Sequence, residues 1–316
     1  MTLRIAFLGP RATFTEQALR SLPEADGAEL VPCVGSLAVL DAVRDGSVDA
    51  GCVPIENTVE GAVPAVLDGL VVDPPLVIVR EALVAPRFAV LVRPGTKVDD
   101  VRTIGSHPHA IAQTRGWIAD HLPHAEVVSS PSTAEAAAQV ARGEIDAAIS
   151  APLAAELHGL DTLADDVADT AGAVTRCALV RRPGSPPPPP TGHDRTSIAA
   201  TTENRPGALL GVLTELAVRG IDLTRIESRP IKDRHAEYWF HLDFAGHVAE
   251  PAVGEALAAL HRRCDRVRFL GSYPRAGNGT SGQTPPRTVV PLGDADDRAY
   301  EASWAWVESL RAGTGA

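Results

Sequence analysis

The chain has 316 residues, with 45% hydrophobic and 22% charged residues and a net charge of −11 at pH 7. That length is more than one hydrophobic core usually serves, so two domains are expected, and the composition is that of an ordinary globular protein. The negative balance argues against nucleic acid or an anionic membrane as partner, so an anionic metabolite would need a local electropositive pocket.

Cys33, Cys52, Cys177 and Cys264 are scattered, with no CxxC and no His/Cys spacing suited to zinc. No structural metal is expected, and a reducing cytoplasm fits. The chain runs directly into Leu3-Arg4-Ile5-Ala6-Phe7-Leu8, too short for a signal peptide, and no later stretch reads as a membrane span.

Residues 3–9 read as a buried strand ending at Gly9-Pro10, and Thr13-Phe14-Thr15-Glu16 supplies a capping box. Glu29 to Val34 is strand, Ser36 opens a helix through Val43, and Ala50 to Ile55 is strand again. Glu56-Asn57-Thr58 follows that strand end, before an apolar helical run from Val63 to Leu70. Arg102 to Gly105 leads into Ser106-His107-Pro108, with the proline placed as a first helical residue. Val127 to Ser129 leads into a second capping box, Ser132-Thr133-Ala134-Glu135, whose helix stops at Gly143. Asp146 to Ser150 is strand and Pro152 starts another helix.

This alternation predicts βα units and parallel sheets, whose ligands sit beyond the carboxyl ends of the strands, at helix N-termini. Thr13, Thr15, Glu56, Asn57, Thr58, Ser106, His107 and Ser132 all fall at such junctions. Hydroxyl-capped helix N-termini suit carboxylates or phosphates, although caps also occur for stability alone. Neither GxGxxG nor GxxxxGK[ST] occurs, which argues against a nucleotide.

Ala173 to Val180 is an apolar strand carrying Thr175 and Arg176. A buried arginine needs an anion, either a ligand carboxylate or a local aspartate such as Asp165 or Asp166. A regular strand sends Thr175 and Arg176 to opposite faces, so one site can use both only if the strand start is irregular.

Arg181 to Gly192 contains five consecutive prolines and reads as a semi-rigid spacer. Beyond it, strands at Arg195–Thr202, Ile221–Ser228, Ala236–Phe244 and Val267–Gly271 enclose helices after Asn204-Arg205-Pro206-Gly207-Ala208-Leu209 and over Glu255–Cys264. This βαββαβ order predicts a small ferredoxin-like α+β domain. Arg275 to Arg287 reads as disordered linker. Asp294 to Leu310 reads as a helix with Tyr300, Trp304, Val307 and Leu310 on one face, a docking stripe against the same or a sister subunit.

Seven motifs in order resemble prephenate dehydratase with a C-terminal ACT regulatory domain, over about residues 3–274. They are Gly9-Pro10 with Thr13-Phe14-Thr15-Glu16, Val53-Pro54-Ile55-Glu56-Asn57-Thr58, Ser106-His107-Pro108, Ser132-Thr133-Ala134, Thr175-Arg176, Gly207-Ala208-Leu209, and Glu227-Ser228-Arg229-Pro230. The resemblance implies an α/β fold: a two-lobed, periplasmic-binding-protein-like catalytic domain over residues 1–182 and a Pro-rich linker over 183–193. A ferredoxin-like ACT domain over 194–274 and a flexible tail with a terminal helix over 275–316 would follow.

It also implies conversion of the dianion prephenate to phenylpyruvate, carbon dioxide and water, with feedback by L-phenylalanine and no cofactor. Thr175 would lie at the leaving hydroxyl, with Arg176, Glu56 and Ser106 as the other catalytic residues. Thr13, Phe14, Thr15, Asn57, Thr58, His107, Ser132 and Thr133 would contact substrate. Asn204, Pro206, Gly207, Ala208, Leu209, Glu227, Ser228, Arg229 and Pro230 would bind phenylalanine. ACT pairing and the terminal helix imply a homodimer or homotetramer.

The chain departs from the family pattern at Ala173 for Asn, Cys177 for Phe, Ala12 for Gly and His109 for Gln. Two other readings therefore stand beside the first: a paralogue acting on a modified prephenate such as arogenate or an amino-substituted ring, and a catalytically silent sensor of an aromatic amino acid. Cys177 has no paired base and is not expected to act as a nucleophile.

Overall fold

The computed structural model describes residues 2–59, 61–169, 172–232, 237–277 and 296–312. Contacts divide the chain into two compact units, residues 1–66 with 82–179 and residues 67–81 with 180–316. Residues 67–81, grouped with the first domain by sequence, thus pack with the second unit.

The first lobe contains β1 (Arg4–Leu8), α1 (Phe14–Arg20), β2 (Glu29–Cys33), α2 (Ser36–Asp45), β3 (Ala50–Asn57), the short β4 (Gly61–Ala62), α3 (Pro64–Leu70) and β5 (Val77–Val84). The second contains β6 (Ala89–Val92), β7 (Thr103–Ser106), α4 (Pro108–Gln113), α5 (Arg115–His121), β8 (Glu126–Ser129), α6 (Thr133–Arg142), β9 (Ala147–Ser150), α7 (Leu153–His158) and β10 (Asp161–Ala164). The chain then returns to the first sheet as β11 (Thr175–Arg181), giving the strand order β2-β1-β3-β11-β5 with β4 paired to β3.

β1 lies parallel between β2 and β3, and Ile5, Ala6 and Phe7 are fully buried, as a strand covered on both faces requires. The second sheet runs β10-β6-β9-β7-β8. Its two faces are separated by strand alternation. Val90, Val92, Ala147 and Ile149 pack with Ile118, whereas Ala89, Leu91 and Ala148 pack with Ala137, Val140 and Ala154.

The sheets are mixed, which corrects the expectation of parallel ones. β7 is parallel to β8 and β9, but β6 is antiparallel to β9 and β10, and β4 is antiparallel to β3. β6 arrives from β5 of the other sheet and meets both of its partners, β9 and β10, antiparallel, so the second sheet carries both strand directions. Sequence reading found no strands at β5, β6 or β10.

The second unit holds β12 (Asp194–Thr201), α8 (Ala208–Ala217), β13 (Leu223–Pro230), β14 (Tyr238–Ala245), α9 (Pro251–Arg263) and β15 (Arg266–Pro274) in an antiparallel sheet of order β13-β14-β12-β15. This is the ferredoxin-like order. Ile198, Ala200, Leu242 and Phe244 form its core with Val212, Leu216, Val253 and Leu260 of the helices.

The opposite face is polar. Ser197 donates to Asp243 at 2.7 Å, and the Arg225 Nε donates to Asp243 at 2.8 Å. Residues 67–81 supply further partners: Arg229 makes two 3.0 Å bonds to Asp68, and Arg195 bonds Glu81 at 2.7 Å. Gly271 sits at φ +132°, where an added Cβ would lie 2.2 Å from the Ile78 carbonyl oxygen.

A last helix, α10 (Asp297–Arg311), is capped by Asp296 accepting from the Ala299 N–H at 2.7 Å. It starts three residues later than expected. Trp304 and Leu310 of its apolar stripe are exposed. Of the expected linker, residues 278–287 lie outside the described residues, as does Ala236 at the expected start of β14. Among the described residues no helix is long and apolar enough to cross a membrane.

Candidate active site

A cavity of about 740 Å³ opens within the first unit. Of the residues singled out by sequence, Thr13, Phe14, Thr15, Asn57, His107, Ser132, Thr133 and Thr175 line it. Five helix N-termini deliver lining residues: α1 through Thr13–Thr15, α2 through Ser36, α3 through Pro64, α4 through His107 and α6 through Ser132 and Thr133. Aligned peptide dipoles make each such end electropositive.

Three cap side chains hold these ends in place. Thr13 accepts from the Glu16 N–H at 3.2 Å and donates to the Leu8 carbonyl at 2.8 Å. Ser132 accepts from the Glu135 N–H at 3.0 Å. His107 Nδ1 accepts from the His109 N–H at 3.2 Å, so the ring proton of the neutral form sits on Nε2. Phe14 reaches the second lobe, edge-on to Phe88 with ring centroids 5.4 Å apart. No lysine or arginine appears among the described lining residues, which carry only His107 and His109 as ionisable groups.

The centre of the site is the junction of β3 and β11. Asn57 Nδ2 donates to Thr175 Oγ1 at 2.9 Å, while Asn57 Oδ1 accepts from the Val59 N–H at 2.8 Å. A backbone N–H can only donate, so it fixes which way the amide points. With its oxygen accepting from Asn57, the Thr175 hydroxyl is left with its own proton to donate, and it lies in the cavity wall.

Arg176, Glu56, Ser106 and Thr58 do not appear among the described lining residues. Arg176 is 3% exposed, and its Nε donates to Glu56 Oε1 at 2.8 Å. The anion it requires is therefore Glu56, and Asp165 pairs with Arg87 instead. Regular alternation explains this: Thr175 meets Asn57 on one side of the two strands, and Arg176 meets Glu56 on the other. The Ser106 hydroxyl is fully buried and donates to the Ile149 carbonyl at 2.6 Å, tying β7 to β9. Thr58 binds Val174 through both its N–H and its hydroxyl.

Sequence reading missed Ser36, Gln113 and Phe88 as lining residues. Ser36 carried the same signal as Thr13, a hydroxyl at a helix start, and Gln113 lies one turn beyond His109. Cys177 is 1% exposed beside Cys52, whose thiol is pushed well above its ordinary range by the hydrogen bond with Cys177 and by burial.

In the second unit, Gly207 caps α8 at φ +79°, a left-handed conformation natural to glycine, with Asn204 and Pro206 in the preceding turn and Ala208 and Leu209 in its first turn. Glu227, Ser228, Arg229 and Pro230 close β13, where Arg229 is bound to Asp68.

Residues 5–185 match the family model for prephenate dehydratase, and residues 196–262 match that for the ACT domain. A prephenate dehydratase of Amycolatopsis methanolica is 52% identical over 301 residues, covering 95% of this chain and 96% of that one. The crystal structure of prephenate dehydratase in complex with L-Phe from Arthrobacter aurescens superposes with a TM-score of 0.88 at 43% identity, over 98% of this chain and 99% of that one. A structure described as GqqA, a novel type of quorum quenching acylase, superposes with a TM-score of 0.78 at 32% identity, over 86% and 98% of the two chains. Identity at about half of all positions, sustained across both domains, leaves a single assignment, and the chain belongs to the prephenate dehydratase family.

Proposed function

We propose that the protein converts prephenate to phenylpyruvate, and that L-phenylalanine regulates it through the ACT domain. The observation that carries this reading is the Asn57–Thr175 hydrogen bond at the wall of a cavity ringed by helix N-termini. Prephenate carries two carboxylates, which the electropositive helix ends would hold. As the ring carboxylate leaves as carbon dioxide, the electrons of that carbon–carbon bond enter the ring. The opposite carbon–oxygen bond breaks, and the departing hydroxyl takes a proton to leave as water. Thr175, acting as a hydrogen-bond donor or proton relay, eases that departure. Glu56 and Arg176 brace the strand pair behind it, and Ser106 braces the second sheet.

An acylase reading, prompted by the GqqA likeness, asks for a hydroxyl activated as a nucleophile by a neighbouring base. The Asn57 amide does the reverse. It donates to Thr175 Oγ1 and so cannot take up the hydroxyl proton, and no base is bonded to that hydroxyl among the described residues.

The regulatory reading rests on the ACT domain and on the L-Phe complex of the Arthrobacter relative. Phenylalanine would bind between the α8 turn and the end of β13. We place the protein in the cytoplasm as a homodimer or homotetramer, with the exposed Trp304 and Leu310 of α10 as subunit contacts. Sedimentation at working concentration reads the subunit number, and a monomer would refute that part.

The deciding experiment incubates the purified protein with prephenate and follows phenylpyruvate by absorbance, with Thr175→Ala as control. Product from wild type alone supports the reading. Product from arogenate or an amino-substituted analogue, with none from prephenate, overturns it. Phenylalanine titration should show saturable binding that weakens in Asn204→Ala and Glu227→Ala; equal affinity in all three proteins would remove the effector from this site.

A further inference from the structure

Asn57 and Thr58, neighbours at the end of β3, hold Thr175 and Val174, neighbours at the start of β11. The first of these bonds aims the Thr175 hydroxyl. The second pair has no such evident purpose, because Thr58 is exposed and does not line the cavity among the described residues. Its N–H donates to the Val174 carbonyl at 3.0 Å, and its Oγ1 accepts from the Val174 N–H at 2.9 Å. Both polar groups of Val174 are thereby satisfied by one residue. A side-chain oxygen takes the place that a backbone carbonyl fills in a regular ladder.

We propose that Thr58 is a positioning residue for the dehydration, acting through the Val174–Thr175 peptide and not by touching substrate. The proposal rests on the function given above and deepens it. The Val174 carbonyl belongs to the same rigid peptide plane as the Thr175 N–H, so holding it fixes the direction in which Thr175 projects its side chain. Upstream, Gly172 lies at φ +87° and regular pairing of β11 begins only at Thr175. The clasp is thus the support nearest the reacting hydroxyl on its N-terminal side. Where the resemblance leads one to expect Asn, Ala173 supplies no polar side chain. Displacement of a reacting group by about 1 Å costs on the order of 10²-fold in rate, so a clasp worth a fraction of that movement is worth about tenfold.

Thr58→Val removes the accepting oxygen and keeps the backbone bond; Thr58→Ser keeps both. Steady-state kinetics on prephenate should show kcat about tenfold lower in Thr58→Val with KM within twofold, and Thr58→Ser close to wild type. Hydrogen exchange at the Val174 amide should quicken severalfold in Thr58→Val alone. A raised KM with unchanged kcat would make Thr58 a substrate ligand and overturn the proposal, as would equal loss in Thr58→Ser or an unchanged kcat. If wild type turns over no prephenate, the function fails separately and the exchange measurement decides the clasp. Unchanged exchange in Thr58→Val overturns it.

Discussion

Replacing Asn57 by leucine tests whether its amide works through Thr175 or directly on substrate. The amide donates to Thr175 Oγ1 at 2.9 Å and is itself oriented by the Val59 N–H at 2.8 Å. Leucine keeps the volume and removes the donor, so the threonine hydroxyl is freed among three staggered positions. That freedom is worth about 0.7 kcal/mol, and a net neutral hydrogen bond about 1 kcal/mol more. Their sum, roughly 1.7 kcal/mol, corresponds to a fall in kcat of about 20-fold. Thr175→Val removes the proton donor itself and should cost about 10²–10³-fold. If Asn57 acts only by aiming Thr175, the double variant is no slower than Thr175→Val, because there is nothing left to aim. Kinetics of the four proteins on prephenate, followed as phenylpyruvate, give the coupling directly. A double variant slower than Thr175→Val by a further tenfold or more would refute this account and give Asn57 an independent contact with substrate.

Three further outcomes are expected. His241 is fully buried, both its ring nitrogens lack a hydrogen-bond partner among the described residues, and burial, aided by Arg225, pushes its pKa down to about 4. The unfolded chain protonates this histidine near pH 6.5, so its contribution is intact above that pH. About 3 kcal/mol is lost as pH falls from about 6.5 to about 4. Urea denaturation should show this loss in wild type and not in His241→Met, and parallel pH profiles would refute it. Gly271→Ala should destabilise by about 3 kcal/mol or more, since the new methyl would lie 2.2 Å from the Ile78 oxygen at φ +132°; a change under about 1 kcal/mol would show that the backbone yields there. Ala12, at φ 64° and 2% exposed, has a strained backbone and a buried methyl. Relief of about 1–2 kcal/mol of strain in Ala12→Gly is offset by about 0.8 kcal/mol of lost burial and about 0.4–1 kcal/mol of added unfolded-state entropy. The melting temperature should therefore stay within a few degrees of wild type.

What the sequence made legible was what local rules govern. Thr13 and Ser132 announced themselves as caps, and the run from Asn204 to Leu209 as the turn into α8, because such signals depend on a few consecutive residues. The order of strands and helices in the second unit followed from periodicity for the same reason. The mixed character of the sheets was not legible, since direction depends on which strand β6 meets, and Val77–Val84 carries too little alternation to stand out. The partner of Arg176 was equally hidden. Glu56 lies 120 positions away in sequence, and only the pairing of β3 with β11 brings the two within 2.8 Å. The sequence marked Thr58 and Ser106 as important without revealing that their bonds go to backbone.

The cavity has a kinetic consequence. Its electropositive character comes from peptide dipoles fixed in helices, whose influence fades within a turn, and the whole molecule carries a net charge of −11. A doubly negative metabolite is therefore not drawn in from a distance, and at longer range it is mildly repelled. Capture begins only on arrival at the mouth, so added salt should hasten entry slightly instead of slowing it, the reverse of an enzyme that funnels its anion with lysines.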